Sequence, residues 1–182
     1  TIEGDLKSRD FSINAIAFLF DKNCLLDPLN GIKDLELSLL RTYSTKNLLD
    51  DPLRILRCFR FVSELNFNID INLINFIKKY RGKINLVAKE RINYEIQRIV
   101  KGVNALEAIL LVKKCNIFGS ENLYKDSFFI DIEEISYEQL SPSERDKFLP
   151  LFFIVQILDE VSLEKFKFSK AEIVKEIGRA HV

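Results

Sequence analysis

The spacing of apolar positions divides the chain into a mixed first part and a helical remainder. Residues 9–21, RDFSINAIAFLFD, pass from a polar, helix-like start into an apolar run, and the turn DKN follows. CLLDP is a second short apolar segment, which Pro28 ends, and NGIKDLELS has helical spacing before LLRTYS returns as a strand. Two short strands, a helix and a further strand form part of a mixed α/β unit, whose remaining strands we expect before Thr1.

From Leu48 onward the apolar period becomes helical and stays so. After a first long helix, further helices are predicted at residues 72–80, 87–100 and 105–115. Ser141 opens a capping box, and FSKAEIVKEI gives a last helix capped by Ser169. The predicted fold class is therefore α-rich α+β, with the mixed part ending near residue 46.

Composition excludes several classes of protein. With 182 residues, 47% of them hydrophobic, the chain can bury at least one sizeable core. No run reaches the roughly 18 apolar residues of a membrane span, so we expect no membrane partner and a cytoplasmic location. Cys24, Cys58 and Cys115 lack the C-x-x-C spacing of zinc or redox sites, and we expect buried thiols in a reducing cytosol.

A formal net charge of zero conceals a division of charge along the chain. Residues 1–115 hold 19 Lys and Arg against 14 Asp and Glu, whereas residues 116–182 hold 8 against 13. Between Arg54 and Lys114 the count is 13 against 5. A basic middle beside an acidic end suggests a face that meets phosphates, although a charge block is also ordinary solvated surface.

The start of the first long helix, DDPLRILR, carries two side chains suited to reading a nucleobase. Asp51 before Pro52 is a good helix start on its own, because its carboxylate can cap the first N–H groups. Arg54 is unexpected there, since a cation in the first turn opposes the helix dipole. Asp51 can accept from an exocyclic amine while Arg54 donates to a ring nitrogen or carbonyl. Arg57 and Arg60 continue along nearly the same face and suit phosphates.

Four ordered segments resemble the class II tRNA nucleotidyltransferase and poly(A) polymerase family: EGDLKSRDFSINAIAF, LLDPLNGIKDLELSLLRT, DDPLRILRCFRFVSELNFNID and KERINYEIQRIV. This family joins a nucleotide to an RNA 3′ end. Its members have a nucleotidyltransferase head, a helical neck, and a helical body and tail. The resemblance implies a C-terminal remnant of the head followed by an all-helical neck and body.

The resemblance assigns nucleotide-binding roles to seven residues. RDFSIN matches the ribose-reading motif, so its polar residues would recognise sugar hydroxyls; Ser8 replaces one of two basic residues usual before that aspartate. DDPLR matches E-D-x-x-R, in which Asp and Arg serve as an amino-acid template for C or A, and Asp50 stands where Glu is usual. Two further arginines match residues that line the nucleotide pocket. The seven are Arg9, Asp10, Asn14, Asp51, Arg54, Arg57 and Arg60.

Two other motifs carry structural expectations. DPLNGIKDL resembles the connection between head and neck, which Asp27, Gly31 and Asp34 would shape. ERINYE resembles the motif that braces the neck. Arg91 and Glu95 lie at i and i+4 in it, and could equally be a surface ion pair worth ~0.2–0.5 kcal/mol.

The implied cofactor is Mg²⁺, because this chemistry activates the 3′ hydroxyl and neutralises the triphosphate with metal ions. The family's D-x-D after a G-G…R-D turn has no counterpart here, and we expect it upstream of Thr1. The chain then supplies no catalytic and no metal-ligating residue of its own, and we expect a fragment that is inactive alone.

The implied function is template-independent addition of CCA to tRNA 3′ ends from CTP and ATP. Poly(A), CC-only or A-only addition shares these motifs and stays open, as does a catalytically dead RNA-binding remnant. The partners would be a tRNA or other RNA 3′ end, CTP and ATP, and the sequence indicates no protein partner.

Four segments are expected along the chain. Residues 1–46 would be the C-terminal part of the head, and residues 47–115 a helical neck with nucleotide-base and RNA-binding helices. Residues 116–176 would be a helical body. Residues 177–182, IGRAHV, match one reading frame of a common sequencing adapter and are left out of functional reasoning.

Overall fold

The computed structural model describes residues 1–118. The predicted helices that open at Ser141 and Ser169, the proposed body and the IGRAHV tail lie outside the described residues. The elements in chain order are α1 (Ile2–Lys7), a 3-10 turn (Ser12–Asn14), β1 (Ala17–Leu19), β2 (Cys24–Leu26), α2 (Gly31–Glu36), β3 (Leu39–Leu40), α3 (Thr45–Asp50), α4 (Leu53–Leu65), β4 (Asn68–Ile69), α5 (Ile71–Tyr80), a 3-10 segment (Arg81–Leu86), α6 (Lys89–Lys101) and α7 (Ala105–Lys114).

The first part of the chain has the predicted order of hairpin, helix and strand. β1 and β2 pair antiparallel, with Ala17 opposite Leu26 and Leu19 opposite Cys24. Asn23 takes a positive φ of 47° in the turn between them, a conformation that Asn tolerates better than most residues. Helix α2 and strand β3 follow, so the mixed α/β character of this part is confirmed.

The prediction of an all-helical chain after residue 47 is wrong at β4. Asn66 leaves α4 at a φ of 57°, and two extended residues then pair in parallel with β3. The N–H of Asn68 donates to the Ser38 carbonyl at 2.8 Å, and that of Asp70 to the Leu40 carbonyl at 3.0 Å. Two residues are too few to interrupt a helical period visibly, so the sequence pattern could not show this pairing.

Helix α4 is the centre of the core and packs against α6 and α7. Its buried apolar residues, which follow the predicted helical stripe, include Leu53, Ile55, Leu56, Phe59 and Val62. The helix start predicted at Asp51 and Pro52 is found one residue later, at Leu53, and the short helix α3 precedes it, because Asp51 is extended (φ −134°, ψ 92°). Such a backbone is the ordinary one for a residue before proline.

The connection between the hairpin and α2 has the contacts expected of a structural motif. The Asp27 carboxylate accepts from the N–H groups of Gly31 at 2.7 Å and Ile32 at 3.0 Å. A Cβ at Gly31 would collide with the Ser12 backbone. The buried Asp34 carboxylate accepts from the Ser12 hydroxyl at 2.5 Å and pairs with the Arg41 guanidinium at 2.8 Å. Gly31 and Asp34 thus hold α2 against the 3-10 turn at Ser12.

The prediction of buried thiols is correct for two cysteines and wrong for the third. Cys58 and Cys115 are buried, whereas Cys24 is exposed at the start of β2, on a two-stranded sheet too small to cover it. Burial raises the pKa of the Cys58 thiol well above its ordinary value. Within residues 1–118, no helix is long and apolar enough to cross a bilayer.

Candidate nucleotide-binding site

Asp10 is the centre of a polar cluster at the start of α4. Its carboxylate is buried, and Oδ1 accepts from the Phe11 N–H at 3.0 Å and from the Asn14 amide at 2.9 Å. Oδ2 accepts from Nε of Arg57 at 2.6 Å, and Nη2 of the same guanidinium lies at 2.6 Å. Residues 47 positions apart in sequence therefore form one unit. The 3-10 turn brings in Asn14, and α4 brings in Arg57.

Arg9 points away from this unit. Its guanidinium pairs with the Asp5 carboxylate one helical turn earlier, at 2.6 Å, and both side chains are more than half exposed. Asn47 of α3 fixes the backbone here, because its amide donates to the carbonyls of Lys7 at 2.9 Å and Arg9 at 3.0 Å. Sequence reasoning missed Asn47, and no pattern around it indicates this role.

Asp51 and Arg54 lie at the start of α4, as predicted, but each is held by a different partner. Nη1 of Arg54 donates to the Ser8 carbonyl at 2.9 Å. Oδ2 of Asp51 accepts from Nη2 of Arg91 at 2.9 Å, whereas Oδ1 accepts only a long contact, 3.4 Å, from the Leu53 N–H. The helix itself begins at Leu53, so Asp51 lies one residue before the cap position that Pro52 occupies.

Arg60 is separated from the other predicted nucleotide contacts. Its side chain is buried, and Nη1 donates to both carboxylate oxygens of Glu95, at 3.0 and 3.1 Å. Burial raises the pKa of the Glu95 carboxyl against the attraction of Arg60, and burial lowers the pKa of Arg60 itself. The guanidinium is therefore used inside the protein, because α6 covers this turn of α4.

The alternative of an Arg91–Glu95 surface pair is wrong. Arg91 reaches across to Asp51, just before α4, and Glu95 is buried against Arg60. Glu64 joins the same side through Arg98 at 2.6 Å. The ERINYE segment thus braces α4 at two points, one at its exposed start and one within the core.

The arrangement leaves directed donors and acceptors that no described group uses. Oδ1 of Asp51 retains acceptor capacity, and Arg54 and Arg57 each retain guanidinium N–H groups. These three side chains are only partly buried, so a ligand can reach them. An acceptor beside planar cationic forks suits a ligand that combines an amine-bearing ring with anionic groups.

Residues 1–118 contain no group of three His, Cys, Asp or Glu side chains placed to hold a metal ion. The acidic residues of the cluster are engaged by arginines, which does not fit a Mg²⁺ site with several carboxylate or water ligands. These residues are therefore not assigned as metal ligands. The expectation of Mg²⁺ ligands upstream of Thr1 stays a prediction.

Comparison with known proteins finds a family model that matches the first part of the chain, and relatives that match it over 100 residues or more. Residues 1–41 match the family described as Poly A polymerase head domain. The CC-adding tRNA nucleotidyltransferase of Synechocystis is 38% identical over 100 residues, which are 55% of this chain and 24% of that protein. That of Shouchella clausii is 36% identical over 121 residues, 66% of this chain and 32% of that protein.

The chain resembles class II tRNA nucleotidyltransferases in these comparisons, which support its membership of that family. It spans about a quarter to a third of the length of these curated relatives. Among solved structures, the Bacillus stearothermophilus CCA-adding enzyme in complex with CTP superposes with a TM-score of 0.74 at 24% identity. That match covers 100% of this chain and 48% of the other, and it supports the fold. The division into neck and body stays a prediction.

The two residues that depart from the family pattern, Ser8 and Asp50, both lie close to this site in sequence or through a contact. Ser8 ends α1, and its carbonyl receives Arg54, so a backbone atom at this position contributes to the site whatever the side chain. Asp50 is the exposed last residue of α3, and its carboxylate lies before the turn that separates α3 from α4. The residue that sequence reasoning undervalued is Arg91, whose signal was its place in the ERINYE motif.

Proposed function

We propose that this chain supplies the nucleotide-recognition part of a template-independent enzyme that adds CCA to tRNA 3′ ends from CTP and ATP. The observation that carries the proposal is the joining of the ribose motif to the base motif. Asp10 is bonded to both Asn14 and Arg57, and Arg57 lies one helical turn after Arg54. Relatives named as tRNA nucleotidyltransferases and a similar fold solved with CTP support the substrates.

In this proposal the ribose contacts come from Asp10, Asn14 and Arg9. Asp10 is buried and held by three partners, so it would accept from a sugar hydroxyl in exchange for one of them, while the Asn14 amide oxygen offers a second acceptor. Arg9 would leave Asp5 to take part. The cost is small, because an exposed ion pair contributes only about 0–1 kcal/mol.

Base selection follows from the hydrogen-bonding character of Asp51, which accepts, and Arg54, which donates. Cytosine and adenine each present an exocyclic amine beside a ring nitrogen that accepts, so Asp51 can accept from the amine while Arg54 donates to the ring. Guanine and uracil present a carbonyl beside a ring N–H. A carboxylate would then face a carbonyl oxygen and a guanidinium would face an N–H, so both contacts would be lost.

Arg91 is a positioning residue in this scheme. It holds Oδ2 of Asp51 from α6 and leaves Oδ1, which has only the 3.4 Å contact with the Leu53 N–H, for the base. Arg57 keeps one guanidinium nitrogen beyond its bonds to Asp10 and would meet the triphosphate. Arg60 supports α4 through Glu95 and need not touch the nucleotide.

The function is tested by nucleotide binding to the 182-residue chain. Calorimetric titration with CTP, ATP, GTP and UTP compares Asp51→Asn with Asp21→Asn, a matched change at an exposed turn residue. We expect Asp51→Asn to lose ~1–3 kcal/mol of the preference for C and A, the value of a bidentate base contact. Asp21→Asn should retain the preference. Equal selectivity in the two variants would exclude base reading by Asp51.

The sister activities differ in product and are separated by it. CC-only, A-only and poly(A) addition remain alternatives, because the named relatives include CC-adding enzymes. Extension of a tRNA minihelix lacking CCA by the longest available form of the protein distinguishes them. Addition that stops after CCA supports the proposal, and addition of CC alone or of many A residues replaces it with the corresponding activity.

A further inference from the structure

The ribose motif RDFSIN contacts α4 at two points that lie one helical turn apart. The first is the bond from Arg57 to the Asp10 carboxylate. The second is a ring contact between the next residue, Phe11, and Phe61, whose ring centroids are 5.5 Å apart with the planes at 87°. This edge-to-face geometry is a favourable one for an aromatic pair. Because Arg57 and Phe61 are i and i+4 on α4, both contacts come from the same side of that helix.

Phe11 is bonded through its backbone to both residues of the motif that we assign to the ribose within the cluster. Its N–H donates to Oδ1 of Asp10 at 3.0 Å, and its carbonyl accepts from the Asn14 N–H at 3.0 Å. Its side chain is fully buried. A displacement of the Phe11 ring would therefore be passed through these bonds to Asp10 and Asn14.

The Phe61 ring has a second contact besides Phe11. Cζ of Arg60 lies 4.8 Å from its centroid, which is within the range of a cation–π interaction. Arg60 is itself buried and donates to both carboxylate oxygens of Glu95. Phe61 therefore connects the ribose motif to the buried ion pair between α4 and α6.

The two contacts with α4 restrict the motif in different ways. The bond to Arg57 fixes where the Asp10 carboxylate lies, and the ring contact with Phe61 restricts how the backbone that carries this carboxylate can turn. A leucine at position 61 would keep an apolar side chain there but could not reproduce the edge-to-face contact. The ring thus has a role that apolar burial alone does not supply.

We propose that Phe61 is a positioning residue for ribose recognition and that it acts through Phe11 on Asp10 and Asn14. The inference rests on the proposed function for the assignment of Asp10 and Asn14 to the sugar. A hydrogen bond weakens steeply when its angle departs from the preferred range, so acceptors for a sugar hydroxyl must be well oriented. A loosened motif would still bind the nucleotide but would distinguish ribose from deoxyribose less well.

The test is the ratio of the dissociation constants for dCTP and CTP, measured by calorimetric titration of the 182-residue chain. Phe61→Leu is compared with Phe76→Leu, a matched loss of a half-buried aromatic partner, because Phe76 pairs with Tyr80 within α5 at 4.7 Å. We expect Phe61→Leu to lower the ratio by up to about 10-fold, the factor that corresponds to the ~0.5–1.5 kcal/mol of an aromatic pair. Phe76→Leu should keep the ratio of the unmodified chain, and so should Phe61→Tyr, which retains the ring.

A second measurement needs no nucleotide. The Nε–Hε proton of Arg57, whose nitrogen lies 2.6 Å from Oδ2 of Asp10, should exchange with water faster in Phe61→Leu than in Phe76→Leu, as followed by NMR. Far-ultraviolet circular dichroism and a urea midpoint establish that both leucine variants are folded. Equal ratios or equal exchange rates in these two variants would overturn this proposal and leave the proposed function intact. An unmodified chain that does not distinguish CTP from dCTP would instead refute the assignment of Asp10 and Asn14 to the sugar, and this inference with it.

Discussion

Replacing Glu95 with alanine should destabilise the fold more than any loss of a surface ion pair. Glu95 is 3% exposed and the Arg60 side chain that it binds is buried, with two hydrogen bonds at 3.0 and 3.1 Å. The substitution leaves a buried guanidinium with Glu64 as its remaining anionic neighbour, 3.5 Å from Nε. Removing one partner of a buried pair costs about 3–5 kcal/mol, and Glu64 places this case near the lower end of that range.

Urea unfolding followed by circular dichroism measures the effect. A loss of about 3 kcal/mol lowers the midpoint by ~1–3 M for a urea dependence of about 1–3 kcal/mol/M. The control is Glu3→Ala, which removes an exposed pair with Lys7 and should leave the midpoint unchanged. The double variant Arg60→Leu, Glu95→Leu should recover most of the loss, because replacing both charges with apolar groups leaves no buried charge. A Glu95→Ala midpoint equal to that of Glu3→Ala would refute this reasoning.

Two further predictions concern packing and ionisation. Gly102→Ala should destabilise the chain by about 1–3 kcal/mol, since a Cβ would collide with the Ser63 backbone where α4 meets α6; a urea midpoint equal to that of the exposed-site change Gly82→Ala would contradict the close approach. Burial raises the pKa of the Cys58 thiol above its ordinary 9.0. The buried neutral thiol therefore makes its full contribution to the free energy of unfolding below pH 9.0. That contribution is lost at higher pH, because the thiol then ionises in the unfolded chain while it stays protonated in the folded one. The free energy of unfolding relative to Cys58→Ala should therefore fall above that pH, and a constant or rising difference would contradict the burial.

Local patterns predicted the elements better than the partners of charged residues. The helices at 72–80, 87–100 and 105–115 correspond to α5, α6 and α7 within two residues at each end, because a helical apolar period persists through each. The pairing of β3 with β4 joins residues far apart in sequence, and no local pattern encodes it. The same applies to Arg57 with Asp10, which the fold brings together across 47 positions.

The buried ion pair between Arg60 and Glu95 could have been predicted from the sequence. Glu95 falls between Ile92 and Ile99 on the apolar stripe of α6, and Arg60 falls on the stripe of α4 that begins at Leu53. A charge on each of two apolar stripes predicts a buried pair, since an isolated charge would be too costly to bury. Arg60 was predicted to belong to a row of exposed arginines because of its spacing from Arg54. That prediction overlooked the position of Arg60 on the apolar stripe of α4.

The central claim is that the start of α4 reads the base of a nucleotide. NMR spectra of the arginine side-chain Nε–Hε groups in the 182-residue chain test it most directly, with CTP, ATP, GTP and UTP added in turn. The account predicts that the signals of Arg54 and Arg57 shift with CTP and ATP, that Arg54 responds less to GTP and UTP, and that Asp51→Asn removes the difference. Shifts of Arg54 that are the same for all four nucleotides, or absent with CTP and ATP, would contradict it.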